Sequence, residues 1–354
     1  MKGLILSGGK GTRLRPLTYT AAKQLVPVAN KPVLFYAIED LVSSGITEIG
    51  IIVGDTADQI RAAVGDGARF GARVTYIQQE RPAGLAHALG TARDYLGDER
   101  FVMYLGDNFV REGIAPLVEA FARGDANAHV LLSRVSNPSA FGVAVLEGDR
   151  VVRLVEKPSE LVSDLAIVGV YMFDHHVFEA VDSIEPSARG ELEITDAIQW
   201  LVDHGRVVQP LVLEGHWIDT GKMADMLEAN RLVLEMLKGR VDGVVDEASE
   251  VTGAVVIEEG AVIRDSVLRG PLIIGAGVKV INSYVGPFTS IDHHCVLEGV
   301  EIANSIVLEH STISDIEHRI EDSLIGRYVR VGRSPAKPRA YKLLLGDHSQ
   351  VVVL

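Results

Sequence analysis

Along the first two thirds of the chain, short apolar runs alternate with stretches whose apolar residues recur at helical spacing. Gly3-Leu4-Ile5-Leu6, Ile49-Gly50-Ile51-Ile52-Val53, Val74-Thr75-Tyr76-Ile77, Phe101-Val102-Met103-Tyr104-Leu105 and Val130-Leu131-Leu132 read as buried strands, with amphipathic helices between them. Strand and helix in alternation predict an α/β domain with a largely parallel sheet. From about Gly243 the pattern changes. Aliphatic residues stand at Ile257, Ile274, Ile291, Leu308 and Ile325, each 17 residues after the last; Ile263, Val280 and Leu297 form a second row, and Leu268, Val285 and Ile302 a third. Each coil divides into steps of six, five and six, the signature of a triangular β-helix whose coils share one interior, with Gly260, Gly275, Gly277 and Gly286 at corners. Met223 to Leu237 reads as an amphipathic linker helix ending near Gly239. The expected division is therefore a first domain of residues 1–242 and a β-helix domain with a tail, residues 243–354. The tail from Ser334 contains Pro335 and Pro338 and ends in Val351-Val352-Val353-Leu354, which is expected to dock as an edge strand.

Composition narrows the class. At 354 residues the chain exceeds what one core usually supports, in keeping with two domains. Hydrophobic residues make up 47% and mean hydropathy is +0.20, yet charges interrupt every apolar run well before the roughly 20 residues needed to span a bilayer. The opening Met1-Lys2-Gly3-Leu4-Ile5-Leu6-Ser7 is too short an apolar stretch for a signal peptide, so a cytoplasmic location is expected. The single cysteine, Cys295, excludes an intrachain disulfide and fits a reducing compartment. A formal net charge of -14 argues against a nucleic-acid surface, which needs concentrated Lys and Arg. A nucleotide ligand of this chain should be a small molecule.

The strongest chemical signal follows the first strand. Leu6-Ser7-Gly8-Gly9-Lys10-Gly11-Thr12-Arg13-Leu14-Arg15-Pro16 is a glycine loop carrying cations: glycines 8, 9 and 11 let backbone N–H groups converge on phosphate oxygens, and Arg13 adds a planar fork. It lacks the spacing of a P-loop, and Leu14 stands where a dinucleotide fingerprint needs a glycine, so neither an NTPase nor a dehydrogenase is indicated. An isolated Gly-Gly would be an ordinary βα turn. Here Lys23-Gln24-Leu25-Val26-Pro27 and Asn30-Lys31-Pro32-Val33-Leu34 extend it into one long signature. Ligands of open α/β sheets gather beyond the carboxyl ends of strands, where both this loop and Gly106-Asp107 fall.

The chain resembles the sugar nucleotidylyltransferases, and within them the glucose-1-phosphate thymidylyltransferases of the longer type. The resemblance spans nearly the whole chain and is carried, besides the glycine loop and Lys23-Gln24-Leu25-Val26-Pro27, by Gln79 with Gly84-Leu85-Ala86, Leu105-Gly106-Asp107-Asn108, Phe141-Gly142-Val143, Glu156-Lys157-Pro158, Arg189-Gly190-Glu191-Leu192-Glu193-Ile194-Thr195-Asp196 and Trp217-Ile218-Asp219-Thr220-Gly221. Ala21-Ala22 departs from the serine many relatives carry ahead of the lysine. The resemblance implies a Rossmann-like, mostly parallel nucleotidylyltransferase domain followed by a left-handed parallel β-helix. It implies attack by a sugar 1-phosphate oxygen on the α-phosphorus of dTTP, giving dTDP-glucose and pyrophosphate, with Mg²⁺ as cofactor, glucose 1-phosphate as the second substrate and a homo-oligomeric state. The catalytic residues carried over are Arg13, Lys23 and Lys157. Leu6, Gly8, Gly9, Gly11, Thr12, Gln79 and Gly84 would bind the nucleotide; Gly142, Glu156, Lys157, Val168 and Tyr171 the sugar phosphate; and Asp107 and Asp219 the metal, which suits oxygen donors.

Alone, Gly-Asp-Asn, Ile-Asp-Thr-Gly and Glu-Lys-Pro would each be turn chemistry. Asp292-His293-His294-Cys295 does not read as a zinc site, because adjacent residues on a strand point to opposite faces. A UDP-sugar pyrophosphorylase, an acetyltransferase activity in the β-helix and a non-catalytic binding subunit are the alternatives. Intact Arg13, Lys23, Asp107, Lys157 and Asp219 speak against the last, and the β-helix is expected to serve packing, oligomerisation or regulation.

Overall fold

The computed structural model describes residues 1–9, 11–333 and 341–352. In chain order the first elements are β1 (Lys2–Ser7), β2 (Pro27–Val28), β3 (Lys31–Pro32), α1 (Val33–Ser43), β4 (Glu48–Val53), α2 (Ala57–Val64), β5 (Arg73–Gln78), α3 (Leu85–Thr91), α4 (Arg93–Leu96), β6 (Phe101–Leu105), β7 (Asn108–Val110), α5 (Ala115–Arg123) and β8 (Ala128–Arg134). There follow β9 (Gly142–Glu147), β10 (Arg150–Glu156), β11 (Leu165–Phe173), α6 (Val177–Ser183), α7 (Ile194–Asp203), β12 (Val208–Val212), β13 (Trp217–Asp219) and α8 (Met223–Met236).

The chain divides into two compact units. The first, Met1–Lys10, Ala22–Leu25 and Val33–Asp219, is Rossmann-like. Its sheet runs β10-β9-β11-β6-β1-β4-β5, with β8 pairing β11 and β12. Strands β6, β1, β4 and β5 are mutually parallel, and β11 runs antiparallel to both β6 and β8. Helices cover both faces, so β1, β4, β6 and β11 are apolar without alternation and their successive residues feed two cores, whereas β5 at the edge alternates and has no fully buried residue. Leu4, Leu6 and Met103 enter one, Ile5, Ile51 and Tyr104 the other. All nine residues of β11 are buried, although the sequence reading does not single that strand out. Among the described residues no helix is long and apolar enough to cross a membrane.

The second unit, Gly11–Ala21, Val26–Pro32 and Thr220–Leu354, holds the left-handed parallel β-helix. Three stacks of short strands form its faces, ordered from Arg240–Val241 to Leu324–Ile325, from Val244–Val245 to Arg330–Gly332, and from Glu250–Thr252 to Glu301–Ile302. Ile257, Ile274 and Ile291 lie in register, as do Ile263, Val280 and Leu297, and Leu268, Val285 and Ile302, all pointing into one apolar interior. The fourth coil corrects the 17-residue rule. Ile291 pairs with Val307, not Leu308, and Val307 pairs with Ile325. The corner after Ile302 is one residue shorter than those above it, so the spacing becomes 16 and then 18, and Leu308 is buried beside the ladder instead of in it.

Corners repeat in the left-handed region of backbone space: Gly260, Gly277, His294, His310 and Tyr328 share one column, at φ 76, 68, 57, 60 and 57°. Gly275 and Gly286, read as corner glycines, lack positive φ; there the constraint is close approach of the next coil. Helix α8 packs on β2 and on the strand Thr289–Ile291. The expected edge strand at the C-terminus is not formed by Val351 and Val352, which are 51% and 95% exposed in irregular backbone. Lys10, Pro335, Pro338, Val353 and Leu354 lie outside the described residues.

Candidate active site

Two carboxylates and one ammonium converge in the first unit. Asp107 follows β6, and Asp219 ends β13, whose antiparallel pairing with β7 sets Asp219 opposite Asn108. Lys23, in a short 3-10 helix, Lys23–Leu25, is 8% exposed, and its Nζ bonds Asp107 Oδ2 and lies 3.7 Å from Asp219 Oδ1. Burial raises the Asp107 carboxyl, but the charge of Lys23 and hydrogen bonds from Lys23 and Asn108 outweigh it and hold the group below the ordinary carboxylate range. Two hard oxygen donors gathered around one cationic centre fit a divalent cation that fills its remaining positions with water and phosphate.

Asn108, almost fully buried, organises this corner. Its Nδ2 donates to Asp107 Oδ1 at 3.0 Å, and its Oδ1 accepts from the Gly169 N–H at 3.2 Å and from Trp217 Nε1 at 2.5 Å. Gly169 sits where β11 loses register against β8, and a Cβ there would stand 2.5 Å from Asn108 Oδ1.

Around the glycine loop, Gln79 is buried with its amide 2.9 Å from His87 Nδ1, and its Oε1 lies 3.1 Å from where a Cβ on Gly8 would be. Gln24, 3% exposed, flanks Gly9, and among the described residues its Oε1 has no hydrogen-bond partner. In sequence Gln24 stands only as part of a motif; a buried amide with an acceptor left over beside a glycine loop is suited to a polar ligand. Gly84 begins α3 at φ 103, where a Cβ would fall 2.3 Å from the Leu192 carbonyl oxygen, so glycine there admits the segment that carries Arg189 and Glu193. The Leu6 side chain points into the core. Gly11, Thr12 and Arg13 belong to the second unit: Gly11 is left-handed, Thr18 Oγ1 donates to its carbonyl at 2.6 Å, and Arg13 is exposed in the turn Thr12–Leu14.

Of the residues assigned to the sugar phosphate, Gly142, Glu156 and Lys157 meet where the start of β9 pairs with the end of β10, Gly142 opposite Glu156, while Val168 and Tyr171 lie on β11. A Cβ on Gly142 would stand 2.6 Å from Thr195 Cγ2 and 3.0 Å from Glu156 Oε2, so the glycine keeps this carboxylate accessible. Glu156 accepts from Arg189 at 3.2 Å and Thr195 Oγ1 at 3.3 Å, with Lys157 Nζ 3.4 Å away. Lys157 is held at φ 41, uncommon for a non-glycine residue. Arg189 also forks onto both oxygens of buried Glu193. Tyr171 is buried, its phenol pushed upward by burial and by the Glu156 charge. The Val168 side chain lies in the core, so at Val168 only backbone can face a ligand. Arg189, Glu193, Thr195, Asn108 and Trp217 all fell within recognised motifs without receiving a role from sequence.

Among the described residues His293 and His294 belong to no three-ligand cluster. Among the described residues that grouping is confined to Asp174, His175 and His176, where the Asp174 carboxylate accepts from the His176 N–H and from Asn127 and so shapes the turn before α6.

Residues 2–236 match the nucleotidyl transferase family. Over 354 residues the chain is 56% identical to the glucose-1-phosphate thymidylyltransferase of Streptomyces griseus, spanning 100% of this chain and 99% of that one. It is also 56% identical over 355 residues to the Streptomyces antibioticus protein of the same name, again spanning 100% and 99%. A solved Bacillus anthracis structure in complex with sucrose, provisionally named glucose-1-phosphate thymidylyltransferase, is 38% identical with a TM-score of 0.64; the match covers 68% of this chain and 98% of that one. The chain therefore belongs to the nucleotidyl transferase family, and it is similar along its whole length to members named glucose-1-phosphate thymidylyltransferase.

Proposed function

We propose that this protein transfers a thymidylyl group from dTTP to glucose 1-phosphate, releasing pyrophosphate. The observation that carries the reading is Lys23 held between Asp107 and Asp219, an arrangement suited to polyphosphate chemistry assisted by a divalent cation. The sugar phosphate oxygen bonds to the α-phosphorus as the bond to the pyrophosphate oxygen breaks, so the protein contributes chiefly position and positive charge. Asp107 and Asp219 would hold Mg²⁺, which when bound neutralises charge on the phosphates. Lys23 faces the triphosphate, and Arg13 stabilises the departing pyrophosphate. Lys157, with Arg189 beside it, holds the phosphate of the sugar, while Glu156 and the Gly142 backbone bind hydroxyls. Gln79 and Gln24 read the base and its sugar through their amides. The single buried cysteine supports a cytoplasmic location.

The test is pyrophosphate release from glucose 1-phosphate and Mg²⁺ with dTTP, UTP, CTP, ATP and GTP in parallel. The expected result is faster release with dTTP than with UTP, by a modest factor, since one methyl in an apolar pocket is worth only about 1–3 kcal/mol. Equal or faster release with UTP would move the base assignment and keep the mechanism; release with none would overturn the reading.

A further inference from the structure

The β-helix unit contains more than the β-helix. The two segments on either side of Lys23 in sequence, Gly11–Ala21 and Val26–Pro32, group with Thr220–Leu354. The second of them is the hairpin β2–β3, closed by Ala29 and Asn30 at φ 47 and 60°. Such a two-residue turn favours Asn and Gly, and alanine at its first position is strained. Tertiary bonds hold it there. The Ala29 N–H donates to Asn230 Oδ1 at 2.9 Å, and Asn30 Nδ2 donates to the Ile291 carbonyl at 2.8 Å. Asn230, on α8, is fully buried with its amide satisfied: Oδ1 also accepts from Ser290 Oγ at 2.5 Å, and Nδ2 donates to the Phe288 carbonyl at 3.0 Å. The turn is thus wired to one coil of the β-helix through two side-chain amides, that of Asn230 and that of Asn30. The first segment is seated on a lower coil: Leu17 Cδ2 lies 3.0 Å from where a Cβ on Gly326 would be, and Tyr19 lies against His348 with ring centroids 6.1 Å apart. Thr18 in turn ties down the Gly11 carbonyl two residues before Arg13.

We propose that the β-helix serves the reaction as a brace, fixing the two loops that flank Lys23 through Asn230, the Ile291 carbonyl and the Gly326 corner. This rests on the roles given above to Arg13 and Lys23. Asn230 and Asn30 are then positioning residues: neither touches the reacting groups, and each acts by restricting the conformations open to the loops. A loop that samples several conformations presents its cation in the productive one for only part of the time, and kcat falls by that fraction.

Asn30→Gly separates a brace from mere packing, because glycine keeps the left-handed turn and removes only the side-chain bond. In the full-length protein, amide exchange over residues 11–32 is expected to rise about fivefold, the effect of one lost hydrogen bond, with residues 243–333 unmoved. In parallel kcat is expected to fall by a similar factor while KM for glucose 1-phosphate stays within about twofold. Asn230→Leu, which strands the Ala29 N–H and the Phe288 carbonyl, should move both readings further. Unchanged exchange over residues 11–32, exchange rising equally across the β-helix, or faster loop exchange with unchanged kcat would each overturn the proposal. An inactive wild type would instead remove the transferase reading, and exchange would still decide whether the loops are braced.

Discussion

At Lys23 one ammonium faces two carboxylates, and the chemistry available to the site follows from that ratio. A second positive charge is needed before a triphosphate can be held there, which is the part proposed for the cation. Arg13→Ala should lower kcat about a hundredfold, the scale of losing one preorganised charge partner, with much less effect on KM for glucose 1-phosphate; steady-state kinetics checks this, and an unchanged kcat would retire the role. Asp219→Asn should raise the Mg²⁺ concentration for half-maximal rate and weaken Mn²⁺ binding measured by titration without substrate, whereas a turn residue would leave both unmoved. Lys23, Asp107, Asp219, Glu156 and Gly142 were legible in sequence because each sits in a motif whose residue type is dictated by the chemistry. Asn108, Trp217, Gln24 and Arg189 were not. The contributions of Asn108, Trp217 and Arg189 are hydrogen bonds to residues up to about a hundred positions away, as with Trp217 Nε1 and Asn108 Oδ1, and sequence spacing carries no trace of those partners; that of Gln24 rests on burial beside Gly9, which spacing does not show either.

Among the elements, β8 carries the clearest conflict between burial and charge. His129 packs edge-on against Phe121 on α5, opposite Gln209 of β12, and is 2% exposed. Burial, reinforced by the nearby Arg100 charge, lowers its pKa. The unfolded chain therefore binds a proton that the folded one resists. Stability supplied by neutral His129 is complete above the unfolded value near 6.5 and is lost as pH falls from there through the folded value. The thermal midpoint should drop between pH 7 and pH 5, and His129→Phe should flatten that drop; an identical profile in the variant would show that other groups dominate. The β-helix teaches the complementary lesson about legibility. Its interior rows were visible because every coil repeats one physical requirement, an aliphatic residue on each face. The slip from Leu308 to Val307 was not, because Val307 and Leu308 are both aliphatic and both buried, and only the length of one corner decides which joins the ladder.

For the molecule as a whole, the uneven distribution of uncovered apolar surface has a direct consequence. Tyr341, Leu343, Leu344 and Leu345 are 72%, 61%, 101% and 52% exposed, while β1, β4 and β11 bury all their apolar residues. Brief chymotrypsin treatment should cut there first and leave a stable fragment of about 340 residues, observable by intact mass; first cuts within the α/β sheet would contradict the burial described.

The discontinuous make-up of the second unit also bears on how such proteins can recombine. A crossover that exchanged only the C-terminal β-helix between two relatives would pair one parent's Asn230, Ile291 and Gly326 neighbourhoods with the other parent's Leu17, Ala29 and Asn30. A functional chimera would have to inherit three stretches from the same parent: residues 11–21, residues 26–32 and everything after Asp219. Drift in the β-helix is thereby coupled to drift in short segments two hundred or more positions upstream, and the heritable module is not contiguous in the gene.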